Sequence, residues 1–244
     1  MTITVTVADV HRMTPDVKQF RLVADDHTFE YEPGQHTMVH FETDDGEEEA
    51  RPYTAATLPG TNQIVLAIKR YDDGNASVFM HDREPGDEIE IEEIDGNLRV
   101  RDLDRDALFL ATGTGITPLY PMVKQYAREG SGEARLLFGE RDQEHLVFRE
   151  SLDQLRAENA NLDVEYVLSD AGDESDADAA WTGRTGHVQD HLDDALDGFD
   201  LDGTDCYVCG VPEMVVETEE ALVDAGVDEE HVYTEGWESD AADE

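Results

Sequence analysis

From Met1 to about Val100, apolar and polar residues alternate in short stretches broken by turn residues: Thr2 to Val10, Gln19 to Val23, His36 to Glu42, Gln63 to Arg70 and Glu88 to Ile94. A period of two marks strands with one buried face, and strands this short and numerous predict an antiparallel barrel or sandwich. After Asp104 the pattern changes. Apolar runs at Ala107 to Ala111, Ala134 to Phe138, Asp163 to Leu168 and Asp205 to Cys209 alternate with helical segments near Pro118 to Arg128, Phe148 to Glu158, His187 to Leu196 and Glu213 to Ala225. That order is the grammar of a doubly wound parallel sheet. The chain therefore reads as two domains, an antiparallel β-barrel over residues 1–102 and a Rossmann-like α/β domain over 103–244. The acidic, alanine-rich stretch from Asp170 to Ala180 reads as a solvated loop, and the polar tail after Glu238 as frayed.

Charge narrows the partners. Of 244 residues, 60 are acidic and 17 basic, a formal net charge of -43, and the lysines are Lys18, Lys69 and Lys124. Such a surface repels phosphate, which argues against nucleic acid or anionic lipid. Acid spread along the whole length in place of lysine resembles proteins of salt-loving organisms, and self-repulsion should loosen the fold in low salt. No run approaches the ~20 apolar residues of a membrane span, and the expectation is a cytoplasmic protein.

Chemistry enters with four short motifs. Arg51-Pro52-Tyr53-Thr54 sets a cation, a ring and a hydroxyl together; on an extended segment Arg51 and Tyr53 share one face and Thr54 the other, unless a bend intervenes. Gly74-Asn75-Ala76-Ser77 precedes a helical turn, Val78 to His81, and reads either as an anion-holding helix start or as a glycine turn with a capping serine. Thr112-Gly113-Thr114-Gly115-Ile116-Thr117-Pro118 joins a buried strand to a helix, with glycines that admit a phosphate close to the backbone and a proline suited to a first helical position. Cys209-Gly210-Val211-Pro212-Glu213-Met214 repeats the strand, turn, helix step. At the carboxyl ends of parallel strands the last two turns would line one crevice.

Taken in order, R-P-Y-T, G-x-x-S, G-T-G-I-T-P, C-G-x-P-E-M and a late acidic residue resemble the ferredoxin–NADP reductase superfamily across nearly the whole chain. Each motif is weakly specific, but five in the right order and spacing are jointly strong. The resemblance implies a Greek-key FAD-binding barrel, a C-terminal domain for NADH or NADPH, and flavin held between them. By it, Arg51 binds the FAD pyrophosphate, Tyr53 stacks on the isoalloxazine beside Pro52, and Thr54 bonds near flavin N5. Ala67, Ile68 and Lys69 pass along the flavin, while Gly74, Ala76 and Ser77 grip phosphates. Thr112, Gly113, Thr114 and Gly115, with Gly210 and Pro212, contact the dinucleotide. Cys209 sits beside the nicotinamide, Glu235 relays protons or meets the acceptor, and Trp237 is the candidate flavin cover, although relatives end in such a residue and seven more follow here.

The nicotinamide preference tilts to NADH, because Ser169 is followed by Asp170 where NADPH-using relatives carry a cation; Arg141 and Arg184 speak for NADPH. The expected partner is a ferredoxin or another separate redox protein, since two cysteines cannot hold an iron–sulfur cluster. Arg12, Arg21, Lys69, Arg70 and Arg83 are candidates for a local basic patch that would receive it. Alternatives are a flavin or ferric-chelate reductase and a non-catalytic electron-transfer subunit. Cys206 and Cys209 in a C-x-x-C, and the pairs His36/His40 and His187/His191, raise metal or dithiol chemistry. Against this, the cysteines fall within a strand and no third ligand is visible, so no metal is expected.

Overall fold

The computed structural model describes residues 2–43, 45–171 and 181–236. In its first half, β1 (Thr2–Arg12), β2 (Val17–Val23), β3 (His36–Glu42), β4 (Glu48–Thr54), β5 (Gln63–Lys69) and β6 (Glu88–Glu92) form an antiparallel sheet of order β4-β3-β6-β1-β2-β5, with α1 (Asn75–His81) between β5 and β6. Just past β4, the Ala56 amide donates to the Val65 carbonyl of β5 (2.8 Å), so the outer strands meet and the sheet rolls up. Alternation decides what points inward: Val5 and Val7, Phe20 and Leu22, Ile64, Leu66 and Ile68, Ile89 and Ile91 fill this core.

The second half contains β7 (Asp106–Thr112), α2 (Ile116–Glu129), β8 (Ala134–Glu140), α3 (Arg149–Glu158), β9 (Leu162–Leu168), β10 (Arg184–Thr185), α4 (Leu192–Leu196), β11 (Thr204–Gly210), α5 (Pro212–Asp224) and β12 (Val232–Gly236). Its six strands are parallel in the order β10-β9-β8-β7-β11-β12. Both faces are covered, which is why β7 is apolar from Ala107 to Ala111 and β11 from Cys206 to Cys209. Leu108, Leu110, Cys206 and Val208 face α4 and α5, whereas Phe109, Ala111, Tyr207 and Cys209 face α2. The α2 side continues into Val17, Ala56 and Ala67 of the barrel, so an apolar seam joins the halves.

The connection between the sheets is fastened at the amino ends of the parallel strands. Asp205, 1% exposed, accepts from Arg105 Nε (2.8 Å) and pairs with His231 Nδ1 (3.0 Å), while the Tyr207 hydroxyl accepts from the Arg101 amide (2.8 Å). Among the described residues no helix is long and apolar enough to cross a membrane.

Local departures from the sequence expectations have physical causes. The helix expected over His187 to Leu196 is a 3₁₀ turn at Val188–His191 followed by the short α4. Asp190 bonds back to the His187 amide (2.9 Å), an alternative to helix that aspartate readily supplies. Likewise Gly113–Gly115 form a 3₁₀ turn and α2 starts at Ile116, which places Pro118 third rather than first. Its missing N–H still falls among those without an intrahelical partner.

Candidate functional site

The carboxyl ends of β7 and β11 open toward the ends of β4 and β5, leaving a cleft of about 1010 Å³, its mouth included. One wall is Arg51, Pro52, Tyr53 and Thr54, continued by Ala67, Ile68 and Lys69 and by Ser77 on α1. Thr112, Gly113, Thr114, Gly115 and Gly210 form the other wall. All four residues of the R-P-Y-T segment reach the cleft because the strand ends there: past Thr54, the Ala55 amide turns to the Gln35 carbonyl (3.3 Å).

Two glycines let the second wall close up. A Cβ on Gly115 would stand 2.2 Å from the Cys209 carbonyl oxygen, and one on Gly210 would stand 2.2 Å from Thr112 Oγ1. The β7–α2 and β11–α5 turns therefore touch backbone to backbone. Thr54 Oγ1 and Thr112 Oγ1 are buried without a hydrogen-bond partner, one on each wall. A cleft that holds partnerless hydroxyls beside the Tyr53 ring suits a flat polar ligand lying between the walls. Arg51 leans on Glu49 (Nη2 to Oε2, 3.1 Å) and on the Ala50 carbonyl (3.2 Å).

Other expected residues lie behind the wall. Gly74 caps α1 and Ala76 is buried, neither lining the cleft; the Ser77 hydroxyl accepts from the Tyr71 amide (3.1 Å) and sits 3.1 Å from the Gly74 carbonyl, so it fastens that turn. Cys209 is buried beneath Gly115, and Pro212 starts α5 just outside the wall. Trp237 lies outside the described residues, as does most of the acidic stretch after Asp170. Glu235 pairs in register with Cys209, and His36 with Thr54. Across the domain seam His36 Nδ1 approaches Glu235 Oε1 (3.8 Å), while Glu235 Oε2 is buried without a hydrogen-bond partner. Burial pushes the Glu235 carboxyl up to about 7 and the His36 imidazole down, Asp95 partly opposing the latter.

Tyr71, Thr117 and Val211 line the cleft without having been singled out from the sequence, and His36 was weighed there only as a metal ligand with His40. Thr117 stood inside the quoted glycine motif and Tyr71 two residues past Lys69, so both were within reach. His36 meets Glu235 only through tertiary folding, and no sequence signal pairs them.

A second pocket adjoins the first at Thr112, Gly113 and Val211, and includes Glu140, Arg141, Ser169 and His187. Both arginines of interest have carboxylate neighbours, and of the two Arg141 lines this pocket. Arg184 bonds to Glu165 and to Asp194 (2.7 Å), and Arg141 pairs with Asp16 and Asp142 (both 3.6 Å). Of the expected basic patch, pairing of β1 with β2 and of β2 with β5 brings Arg12, Lys69 and Arg70 to one end of the barrel, beside Lys18. Arg21 instead bonds to Gln63, and Arg83 lies on the Phe79 ring (4.4 Å) near Asp87.

Cys206 and Cys209 are buried, are not joined in a disulfide, and lie on opposite faces of β11. His40 is bound to Glu92 and His191 to the Thr185 carbonyl. No cluster of metal ligands occurs among the described residues.

Residues 4–99 match the oxidoreductase FAD-binding domain and residues 109–220 the oxidoreductase NAD-binding domain. Over 239 residues the chain is 32% identical to ferredoxin–NADP reductase B of Sorangium cellulosum, covering 94% of this chain and 95% of that protein. It is 29% identical over 234 residues to the phenol hydroxylase P5 protein of Acinetobacter pittii, covering 94% of this chain and 64% of that one. In fold it is similar to a ferredoxin NADP+ reductase from Neisseria gonorrhoeae with bound FAD and NADP, at a TM-score of 0.80 and 19% identity over 96% of this chain and 98% of the other.

Proposed function

The chain belongs to the ferredoxin–NADP reductase superfamily of FAD- and NAD-binding oxidoreductases, and we propose that it is a FAD-dependent NAD(P)H oxidoreductase that passes electrons between a nicotinamide dinucleotide and a separate redox protein such as a ferredoxin. One observation carries this reading. Motifs distant in sequence, at Arg51–Thr54, Ser77, Thr112–Gly115 and Gly210, line one cleft between a rolled antiparallel sheet and the carboxyl edge of a parallel one.

Residues 1–102 hold FAD and residues 103–244 the nicotinamide dinucleotide. When bound, FAD accepts a two-electron hydride and releases electrons singly. The protein's own work is placement and exclusion of water. Tyr53 offers a ring face, and the Thr54 hydroxyl, which lacks a protein partner, bonds the flavin edge. The phosphates are received by Arg51 and the glycine turn, and Cys209 supports the nicotinamide pocket from beneath. Glu235, largely buried and near neutrality in its titration, holds or passes a proton beside His36.

NADH is the preferred dinucleotide, since Arg141 and Arg184 are already engaged by carboxylates. The redox partner docks where Arg12, Lys69 and Arg70 gather, next to the cleft that Lys69 lines, and must compete there with Asp16, Asp72 and Asp82, which pair with Lys69 and Arg70. The acidic surface supports a salt-rich cytoplasm as the working medium.

The test is to purify the chain in molar salt, identify any flavin released on denaturation, and follow bleaching of its visible band by NADH or NADPH without oxygen, then with ferredoxin added. Bleaching, faster with NADH, followed by reoxidation on ferredoxin is expected. A colourless protein that cannot be reconstituted with FAD would refute the reading.

A further inference from the structure

Glu140 closes β8, the strand beside β7, so its side chain leaves the sheet where the two pockets meet. Its Oε2 accepts from the Arg141 amide (2.9 Å). Its Oε1 faces the glycine turn: a Cβ on Gly113 would lie 3.9 Å from it. No other hydrogen bond reaches this carboxylate among the described residues. Among the described residues no ion pair reaches Glu140: Lys69 pairs with Asp16 (3.5 Å), Arg141 with Asp16 and Asp142, and His145 with Asp142 (2.7 Å). Burial pushes the Glu140 carboxyl up, opposed by the Arg141 amide and by the nearby charges of Lys69 and His145. Asp170, the acid to which the sequence pointed, is exposed and stands outside the pocket wall, whereas Ser169 lies within it.

We propose that Glu140 is the residue that selects a dinucleotide with a free ribose 2'-hydroxyl, its Oε1 accepting a hydrogen bond from that hydroxyl and its charge turning away a 2'-phosphate. This rests on the reading of residues 103–244 as the part that holds the nicotinamide dinucleotide. A carboxylate at the carboxyl end of the strand following the glycine turn is placed where a ribose hydroxyl can reach it. A phosphate in the same place would add negative charge beside a half-buried carboxylate, where salt screens weakly. Glu140 thus takes the part that the sequence suggested for Asp170.

The experiment measures binding of 5'-ADP and of 2',5'-ADP to the flavin-loaded protein by calorimetry in molar KCl, for wild type, Glu140→Gln and Asp170→Asn, alongside anaerobic flavin reduction by NADH and NADPH. The wild type is expected to favour 5'-ADP. Glu140→Gln is expected to narrow that ratio by about tenfold, the scale of removing one nearby charge, while Asp170→Asn leaves it in place. If Glu140→Gln loses its flavin, Glu140→Thr is measured in its stead and must narrow the ratio likewise. An unchanged ratio in the neutral variant overturns the role of Glu140 yet leaves NADH preference standing. A wild type that favours 2',5'-ADP overturns NADH preference itself and the inference with it.

Discussion

Replacing Gly115 with alanine separates the two halves of the cleft. The new methyl would start 2.2 Å from the Cys209 carbonyl oxygen, 2.4 Å from its carbon and 2.6 Å from the Gly210 nitrogen, all backbone atoms at the fully buried end of β11. Ordinary contact requires roughly 1 Å more, and neither β11 nor α2 has a flexible side chain there to yield. Overpacking of this kind costs about 1–3 kcal/mol, which for a chain of this size lowers the melting temperature by several degrees, at roughly 2–4 °C per kcal/mol. The displaced turn carries Thr112 to Thr114, so the second wall moves while Arg51, Tyr53 and Thr54 stay. A misplacement of about 1 Å lowers a reaction that depends on alignment roughly 100-fold. Gly115→Ala should therefore keep its flavin spectrum and its reoxidation by ferricyanide after dithionite reduction, and lose about two orders of magnitude in flavin reduction at saturating NADH by anaerobic stopped flow. A variant that melts with the wild type and is reduced at the wild-type rate would refute the close approach on which the second wall is built.

Thr54→Val keeps the shape and removes a buried hydroxyl without a protein partner, so the apoprotein should melt at the wild-type temperature or above, while the gain on adding FAD shrinks by about 1–3 kcal/mol; an unchanged gain would show that this hydroxyl does not meet the flavin. Asp205→Ala leaves Arg105 and His231 without their shared carboxylate, and because both are about a quarter exposed the expected loss is about 2 kcal/mol, below that of a fully buried pair, read by urea unfolding in molar salt. Glu235 has a folded-state carboxyl raised from 4.5 to about 7 by burial, so its contribution is fully present below pH 4.5 and is lost as pH rises through 7, by at most about 3 kcal/mol. Glu235→Gln should remove that decline from melting curves taken between those pH values; an identical decline in the variant would assign it to other groups.

Much of this was legible in the sequence because it rests on local pattern. Period-two alternation marked the barrel strands, and apolar runs such as Ala107 to Ala111 marked a sheet covered on both faces. The strands β4, β10 and β12 were not singled out as strands. Glu48–Thr54 carries acids, an arginine and a proline at the edge of its sheet, and Val232–Gly236 takes its pairing wholly from β11. The glycine motifs were readable as close approaches, but which atoms they approach was not: Gly115 meets Cys209, which is far away in sequence. For the same reason the charge pairing of Arg141, across the seam to Asp16, and of Arg184, to Glu165 and Asp194, could not be read from spacing.

The two partnerless hydroxyls connect stability with binding. Thr54 belongs to the barrel and Thr112 to the parallel sheet, and each is buried with its oxygen unsatisfied. Leaving such a group unpaired costs about 1–3 kcal/mol. That cost falls on the closed arrangement of the two halves, because separating the walls would return both hydroxyls to water. The apolar seam of Val17, Ala56 and Ala67 against α2 opposes separation, as does the cross-seam pairing of Asp16 with Arg141. A ligand that bonds to either hydroxyl removes part of the penalty for closure, so its binding energy also strengthens the contact between domains. The alignment that hydride transfer demands is then greatest when the cleft is filled, which is the state in which it is needed.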